Sequence, residues 1–230
     1  MIEFEVADRV GEIIIKRPSA GNAITGEMVA ALCEIIQRAA QETDIVTLTG
    51  EGADFTVGRD RAGPPPDSPF AAFSAISALN KAIAAYPGIL VARVRGRAFG
   101  LGVGLILRSD IAMAADDARF GLDEVAHGIP PMFVMEELVD HLPGKRALDI
   151  VLSGREFGAE EALQMGLISR AVTAPMLDQT VGDFVALVRG RDHNVVLACK
   201  RYLRAVRAMP RDARSAFALV EQTRFASSKR

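Results

Sequence analysis

The sequence predicts an α/β fold followed by a helical C-terminal part. Short apolar runs at 89–94 and 111–115 are typical of buried strands, and segments with helical spacing of apolar residues alternate with such runs. Strands that alternate with helices indicate crossover units, which are usually right-handed. From Pro175 onward only amphipathic helical spacing remains, and the segment is rich in Arg and Ala. We therefore predict a core over residues 1–173 and a helical region over 174–230.

Each predicted element follows from its own local pattern. Apolar and polar residues alternate in the first two strands, and a turn at Asp8 to Gly11 joins them. Thr25 is a favourable N-cap for the first helix. In chain order, the patterns predict strands at 2–6 and 12–16, a loop at 17–25, a helix at 28–39, a strand at 44–49, a surface loop at 58–69, a helix at 70–85, the strands at 89–94 and 111–115 with a short helix between them, and helices at 132–142, 144–152 and 159–165.

A glycine-rich turn stands at the centre of this pattern. Gly100, Gly102 and Gly104 open the apolar segment 101–107 directly after a predicted strand. Glycine lets the backbone approach a ligand closely, and a helix N-terminus favours a phosphate or a carbonyl oxygen that gains negative charge. The spacing matches neither the dinucleotide-binding nor the P-loop pattern. Close packing of a helix on a strand, without chemistry, explains the glycines equally well.

Composition and charge exclude several classes of function. The net charge is −2 and the sequence pI is near 6.0, so no basic surface for nucleic acid or anionic membrane is expected. Cys33 and Cys199 lie far apart, and no metal-ligand spacing is present, so we expect no metal site. No apolar run reaches the roughly 18 residues of a membrane span. With no signal-like N-terminus, a cytoplasmic protein is expected.

Four stretches, taken together and in order, resemble the signatures of the crotonase (enoyl-CoA hydratase/isomerase) superfamily. They are RPSAGNAIT at 17–25, ADFTVGRD at 53–60, RGRAFGLGVGLILRSDIAMAADDARFGLDEV at 95–125 and SGREFGAEEALQMGLISRAV at 153–172. The resemblance implies a crotonase-like spiral of ββα turns and a helical part that assembles a homotrimer or a dimer of trimers. It also implies an acyl-CoA substrate, with coenzyme A as part of that substrate and no further cofactor.

The resemblance also implies roles for individual residues. The backbone N–H groups of Val57 and Leu101 would form the oxyanion hole that stabilises a thioester enolate. Glu124 would be the catalytic carboxylate. Outside the resemblance, the sequence favours a solvated or salt-bridged acid of a loop at Glu124, because charged residues are mostly exposed.

Residues for the CoA moiety are implied in the same way. Arg17, Ala20 and Arg59 match segments that contact CoA in the family, and Arg61 lies beside them. Arginine suits phosphate through its fork of donors. Solvated surface charge is the alternative for all three arginines.

Departures from the family pattern point to the reaction. Hydratases carry a second glutamate where this chain has Gly104. Asp123 replaces a proline beside Glu124, so it is either an accessory acid that raises the pKa of its neighbour or, in extended backbone, a residue that faces outward. His127 stands where an aliphatic residue is usual, so it is either an accessory acid or base or a loop histidine bonded to backbone. Met132 stands where some members place an Asp for dehalogenation or dienoyl isomerisation, and it predicts an apolar wall instead.

One carboxylate suits a proton shift better than hydration, because hydration uses both a base and an acid. We therefore expect an enoyl-CoA isomerase, with slow hydration by Glu124 alone as a variant of it. The alternative is a non-catalytic homologue that binds acyl-CoA. Other reactions of the superfamily, such as C–C hydrolysis or decarboxylation, stay open.

Overall fold

A computed structural model describes residues 1–62 and 68–227 of the chain. The chain forms two compact units, Met1–Asp183 and Phe184–Arg230. Part of the predicted loop at 58–69 lies outside the described residues. The first unit combines a largely parallel sheet with helices, which confirms the predicted α/β fold.

The main sheet of the first unit has six strands in the order β1-β2-β3-β4-β6-β9. Only β1 and β2 pair antiparallel, and each following pair is parallel. All six residues of β3 are buried, as expected for a strand covered on both faces. The strands of this sheet are β1 (Ile2–Ala7), β2 (Val10–Ile15), β3 (Ile45–Gly50), β4 (Ile89–Val94), β6 (Ile111–Ala115) and β9 (Arg170–Val172).

The hairpin between β1 and β2 is tighter than predicted. Asp8 and Arg9 both have positive φ, 49° and 63°, which fits the two-residue turn of a β-hairpin. Because the turn takes only these two residues, β2 begins at Val10 rather than at the predicted position 12.

A second, smaller sheet was not predicted from the sequence. It has the order β5-β7-β8 and consists of β5 (Arg97–Phe99), β7 (Arg119–Gly121) and β8 (Phe157–Gly158). These strands have two or three residues each, too few for a period-2 pattern to emerge. They flank the glycine-rich turn, because β5 ends directly before Gly100.

The helices agree with the predicted positions within a few residues. Thr25 accepts a hydrogen bond from the N–H of Met28 and so caps the first helix, as predicted. The helices α1 and α2 pack against each other, as do α3 and α4. The helices of the first unit are α1 (Gly26–Glu42), α2 (Pro69–Ala85), α3 (Leu101–Arg108), α4 (Met132–His141), α5 (Gly144–Ser153) and α6 (Ala159–Gln164).

The helical C-terminal part is confirmed as helical. The division between the two units falls inside α7 (Leu177–Arg189), after the predicted boundary at residue 173. The second unit continues with α8 (His193–Arg207) and α9 (Arg214–Ser227), where the rings of Tyr202 and Phe217 stack with centroids 5.6 Å apart. Its role in oligomerisation stays a prediction. Within residues 1–62 and 68–227, no helix is both long and apolar enough to cross a membrane.

Candidate active site

A cavity of about 440 Å³ lies in the first unit, against the N-terminus of α3. Its polar end is formed by residues 59–61, Gly100, Leu101, Glu124 and His127. Its apolar side is formed by Phe73 and Ile76 of α2 and by residues 129–134, which lead into α4.

The loop at 17–25 is held to the strand-like segment 53–60 by a buried asparagine. Asn22 is fully buried with φ of 58° and donates to the carbonyl oxygens of Glu51 and Asp54 at 2.9 and 2.7 Å. Its side-chain oxygen accepts from the N–H of Arg17. Three backbone groups are thereby satisfied by one side chain, which fixes the position of the neighbouring segment that reaches the cavity.

The N-terminus of α3 presents a backbone donor to the cavity. Leu101 is the first residue of α3, so its N–H has no acceptor within the helix, and no other acceptor for it is recorded in the described parts of the chain. Its side chain is buried in the hydrophobic core, 8% exposed. The prediction that Leu101 supplies an oxyanion donor is thus compatible with the geometry.

The prediction for Val57 is wrong. The N–H of Val57 donates to the carbonyl oxygen of Gly21 at 2.9 Å, so this donor is already used. The N–H of Arg59 is a better candidate. The N–H of Ile24 donates to the C=O of Gly58, and the C=O of Ile24 accepts from the N–H of Asp60. The N–H of Arg59 between them therefore points away from Ile24, and the described residues offer it no acceptor.

The turn at Gly58 explains the difference between these two amides. Gly58 has φ of 92°, a left-handed conformation that changes the orientation of the peptide groups between Val57 and Arg59 while the segment continues parallel to residues 21–24. A Cβ placed on Gly58 would lie 3.5 Å from the nitrogen of Leu101, so this turn contacts the start of α3. The sequence signals the turn through the glycine, but it does not show which neighbouring N–H stays free.

Glu124 lies in the cavity, as predicted, beside the N-terminus of α3. A Cβ placed on Gly100 would lie 2.8 Å from Oε1 of Glu124, which shows how closely the carboxylate approaches this turn. Its Oε2 is buried and has no hydrogen-bond partner among the described residues. Burial raises the pKa of the Glu124 carboxyl above its usual value, and the negative charge of Asp123 raises it further. A raised pKa suits a group that takes up and returns a proton.

Asp123 and His127 form a chain with Arg61 at the mouth of the cavity. Arg61 donates two hydrogen bonds to Asp123, at 2.9 and 2.7 Å, and the Nε2 of His127 lies 3.1 Å from Oδ2 of Asp123. The hydrogen bond from Arg61 lowers the pKa of the Asp123 carboxyl. Asp123 therefore stays ionised, and the recorded partner of His127 is this carboxylate rather than a backbone group.

Of the three residues predicted to contact CoA, one lines the cavity. Arg17 is paired with Asp60 at 2.8 Å and does not line the cavity. Ala20 ends the short 3₁₀ helix Pro18–Ala20 and is likewise outside the lining. Arg59 does line the cavity, but its guanidinium lies over the ring of Phe73, 5.4 Å from the centroid. Their roles toward CoA stay predictions.

Gly104 does not line the cavity. It is buried in the second turn of α3, and a Cβ placed there would lie 3.4 Å from Cγ2 of Val134, which does line the cavity. The Cβ of a side chain at 104 would therefore be in van der Waals contact with Val134. Met132 and Phe133 line the same apolar side, which confirms the predicted apolar wall.

Glu124 gives a testable dependence of stability on pH. A carboxyl whose pKa is raised by folding binds its proton more tightly in the folded state, so its contribution to stability is present at low pH and is lost as the pH rises. We expect the stability of Glu124→Gln, relative to wild type, to increase from pH 4.5 upward, because Gln does not titrate. Urea unfolding of both proteins at several pH values measures this. A difference that is independent of pH would contradict it.

Comparisons with known proteins show the family of the chain. The family model "Enoyl-CoA hydratase/isomerase" matches residues 5–228. A hydroxycinnamoyl-CoA hydratase-lyase from Pseudomonas fluorescens is 26% identical over 219 residues, covering 90% of this chain and 79% of the relative. The enoyl-CoA hydratase EchA19 of Mycobacterium tuberculosis is 31% identical over 205 residues, covering 85% of this chain and 76% of the relative.

The fold is shared with solved structures. A putative enoyl-CoA hydratase from Thermobifida fusca, solved in complex with CoA, superposes with a TM-score of 0.89 at 28% identity, covering 99% of this chain and 93% of that one. The predicted crotonase-like architecture is thus confirmed. By its sequence over nearly its whole length and by its fold, the chain belongs to the enoyl-CoA hydratase/isomerase family.

Proposed function

We propose that the protein is an enoyl-CoA isomerase. It converts a 3-enoyl-CoA, whose double bond joins C3 and C4, into a 2-enoyl-CoA, whose double bond joins C2 and C3. The observation that carries the proposal is a single available carboxylate among the described residues that line the cavity. Two acidic residues line it, but Asp60 is bonded to Arg17 and to the N–H of Ala62, whereas Oε2 of Glu124 is buried without a recorded partner in the described residues.

The proposed reaction needs one proton carrier and one oxyanion site. Glu124 takes a proton from C2 of a 3-enoyl-CoA. The electron pair of that C–H bond forms the C1=C2 bond of a dienolate, and the π pair of the carbonyl moves onto the thioester oxygen; when the C=O bond re-forms, C2=C3 replaces C3=C4. The N–H groups of Leu101 and Arg59 would hold this oxygen, because both residues line the cavity and neither N–H has an acceptor among residues 1–62 and 68–227. Glu124 then returns its proton to C4, and the product is a 2-enoyl-CoA.

Hydration is the second candidate, since the two named relatives are hydratases or hydratase-lyases. It would require one group to activate water and another to protonate C2. The position that would supply the second carboxylate is Gly104, and Val134 lines the cavity beside it. This arrangement favours the proton shift. Coenzyme A enters the proposal only as the carrier of the acyl group.

The experiment is product analysis after incubation with a 2-enoyl-CoA and, separately, a 3-enoyl-CoA. We expect the two isomers to interconvert and little 3-hydroxyacyl-CoA to form. Formation of 3-hydroxyacyl-CoA at a rate equal to or above isomerisation would favour hydration. An acyl-CoA that binds but stays unchanged would favour the non-catalytic binder. The expected homotrimer or dimer of trimers is a separate prediction.

A further inference from the structure

A short 3₁₀ helix, Glu124–His127, carries a histidine into the cavity beside the proposed catalytic carboxylate. In a 3₁₀ helix, side chains at positions i and i+3 eclipse each other. Glu124 and His127 stand in this relation, and both line the same cavity. The fold therefore places an imidazole on the same edge of the turn as the carboxylate.

The two side chains differ in their access to solvent. Oε2 of Glu124 is buried, and Oε1 lies against Gly100 at the inner end of the cavity. The side chain of His127 is 50% exposed, so it stands at the mouth. Of these two lining residues, His127 therefore has the access to solvent that Oε2 of Glu124 lacks.

The histidine ring is also oriented. Its Nε2 lies 3.1 Å from Oδ2 of Asp123, and Arg61 donates a hydrogen bond to each of the two oxygens of this carboxylate. No partner of Nδ1 is recorded in the described residues, so this nitrogen is available for exchange. Arg59 and Asp60 are the remaining charged residues in the lining, and Asp60 is already paired with Arg17.

We propose that His127 is a second proton-transfer residue of this site, which exchanges the proton carried by Glu124 with solvent. The proton leaves the carboxyl oxygen of Glu124 for Nδ1 of His127 and passes from there to water at the cavity mouth. The return runs through the same atoms, so only O–H and N–H bonds change. Asp123 is a positioning residue in this scheme. The inference rests on the proposed isomerase function.

The test measures where the proton at C4 of the product comes from. In D₂O, a proton that Glu124 returns directly leaves the product unlabelled, whereas exchange during the lifetime of the enolate introduces deuterium. We expect wild type to label C4 extensively and His127→Gln to label it severalfold less per turnover. Asp123→Asn should also lower the labelling of C4. In His127→Ala, added imidazole should restore this labelling.

His193→Gln, outside the cavity lining, is the matched control and should label C4 as wild type does. Mass spectrometry of the product gives the ratio.

This ratio does not depend on how much enzyme is folded, so a purely structural defect would leave it unchanged. Isomerisation with the same labelling in wild type and His127→Gln would overturn the role of His127 and leave the proposed function intact. A second assay follows deuterium entry at C2 of a saturated acyl-CoA, which requires only enolate formation. No isomerisation and no entry at C2 in wild type would overturn both proposals.

Discussion

Replacing Glu124 by Gln is expected to reduce isomerisation by about 100- to 10,000-fold, the usual contribution of a general acid–base group. The amide keeps the shape of the carboxylate but cannot take a proton from C2. Because the described lining holds no second unpaired carboxylate, no neighbour can replace it. Steady-state rates with a 3-enoyl-CoA measure the effect, and the loss should lie in kcat rather than in KM.

Glu160→Gln is the matched control for this variant, since Glu160 lies in α6 and does not line the cavity. It should retain wild-type kcat. If Glu124→Gln kept more than about a tenth of the wild-type kcat, its cost would fall below the range of a general acid–base group, and another residue would have to carry the proton.

Replacing Gly100 by Ala is expected to reduce kcat nearly as much as Glu124→Gln does. The cause is a displaced carboxylate and not the loss of a reacting group. Gly100 has φ of 50° and ψ of −114°, a conformation that side chains rarely adopt, and a Cβ there would lie 2.8 Å from Oε1 of Glu124. The carboxylate or the turn must therefore move. A displacement of about 1 Å in an active site can cost about 100-fold in rate. We expect a loss of about this size in kcat, measured with a 3-enoyl-CoA.

Gly166→Ala separates backbone strain from displacement of the carboxylate. Gly166 also has positive φ, 72°, but a Cβ there meets nothing within 4 Å. Both variants should lose stability, by about 1–3 kcal/mol for the backbone strain. Only Gly100→Ala should lose activity per folded molecule. Equal activity losses in the two variants would show that the contact with Glu124 is unimportant.

The sequence predicted those parts of the site that depend on regular elements. The helix that begins at Leu101 follows from apolar spacing after a glycine, and its free N–H follows from being first in a helix. Glu124 was placed through the resemblance, and the structure puts it in the cavity. These features depend on the local residue pattern and on the position of a motif, and both can be identified from the sequence alone.

The parts that were not predicted depend on backbone turns and on contacts between distant residues. The N–H of Val57 donates to the C=O of Gly21, which is far away in sequence. The positive φ of Gly58 then orients the N–H of Arg59 differently from that of Val57. The ion pair between Arg61 and Asp123 joins residues that are 62 positions apart. Neither local pattern nor spacing shows such pairings.

The packing of Gly104 against Val134 has a consequence for how this protein can change. A Cβ introduced at 104 would meet the Val134 methyl group at 3.4 Å, which is an ordinary van der Waals contact. The backbone of α3 therefore has room for the first carbon of a side chain at this position. The glycine is not enforced by packing, so the lack of a second carboxylate follows from the choice of residue at 104 and not from the space around it.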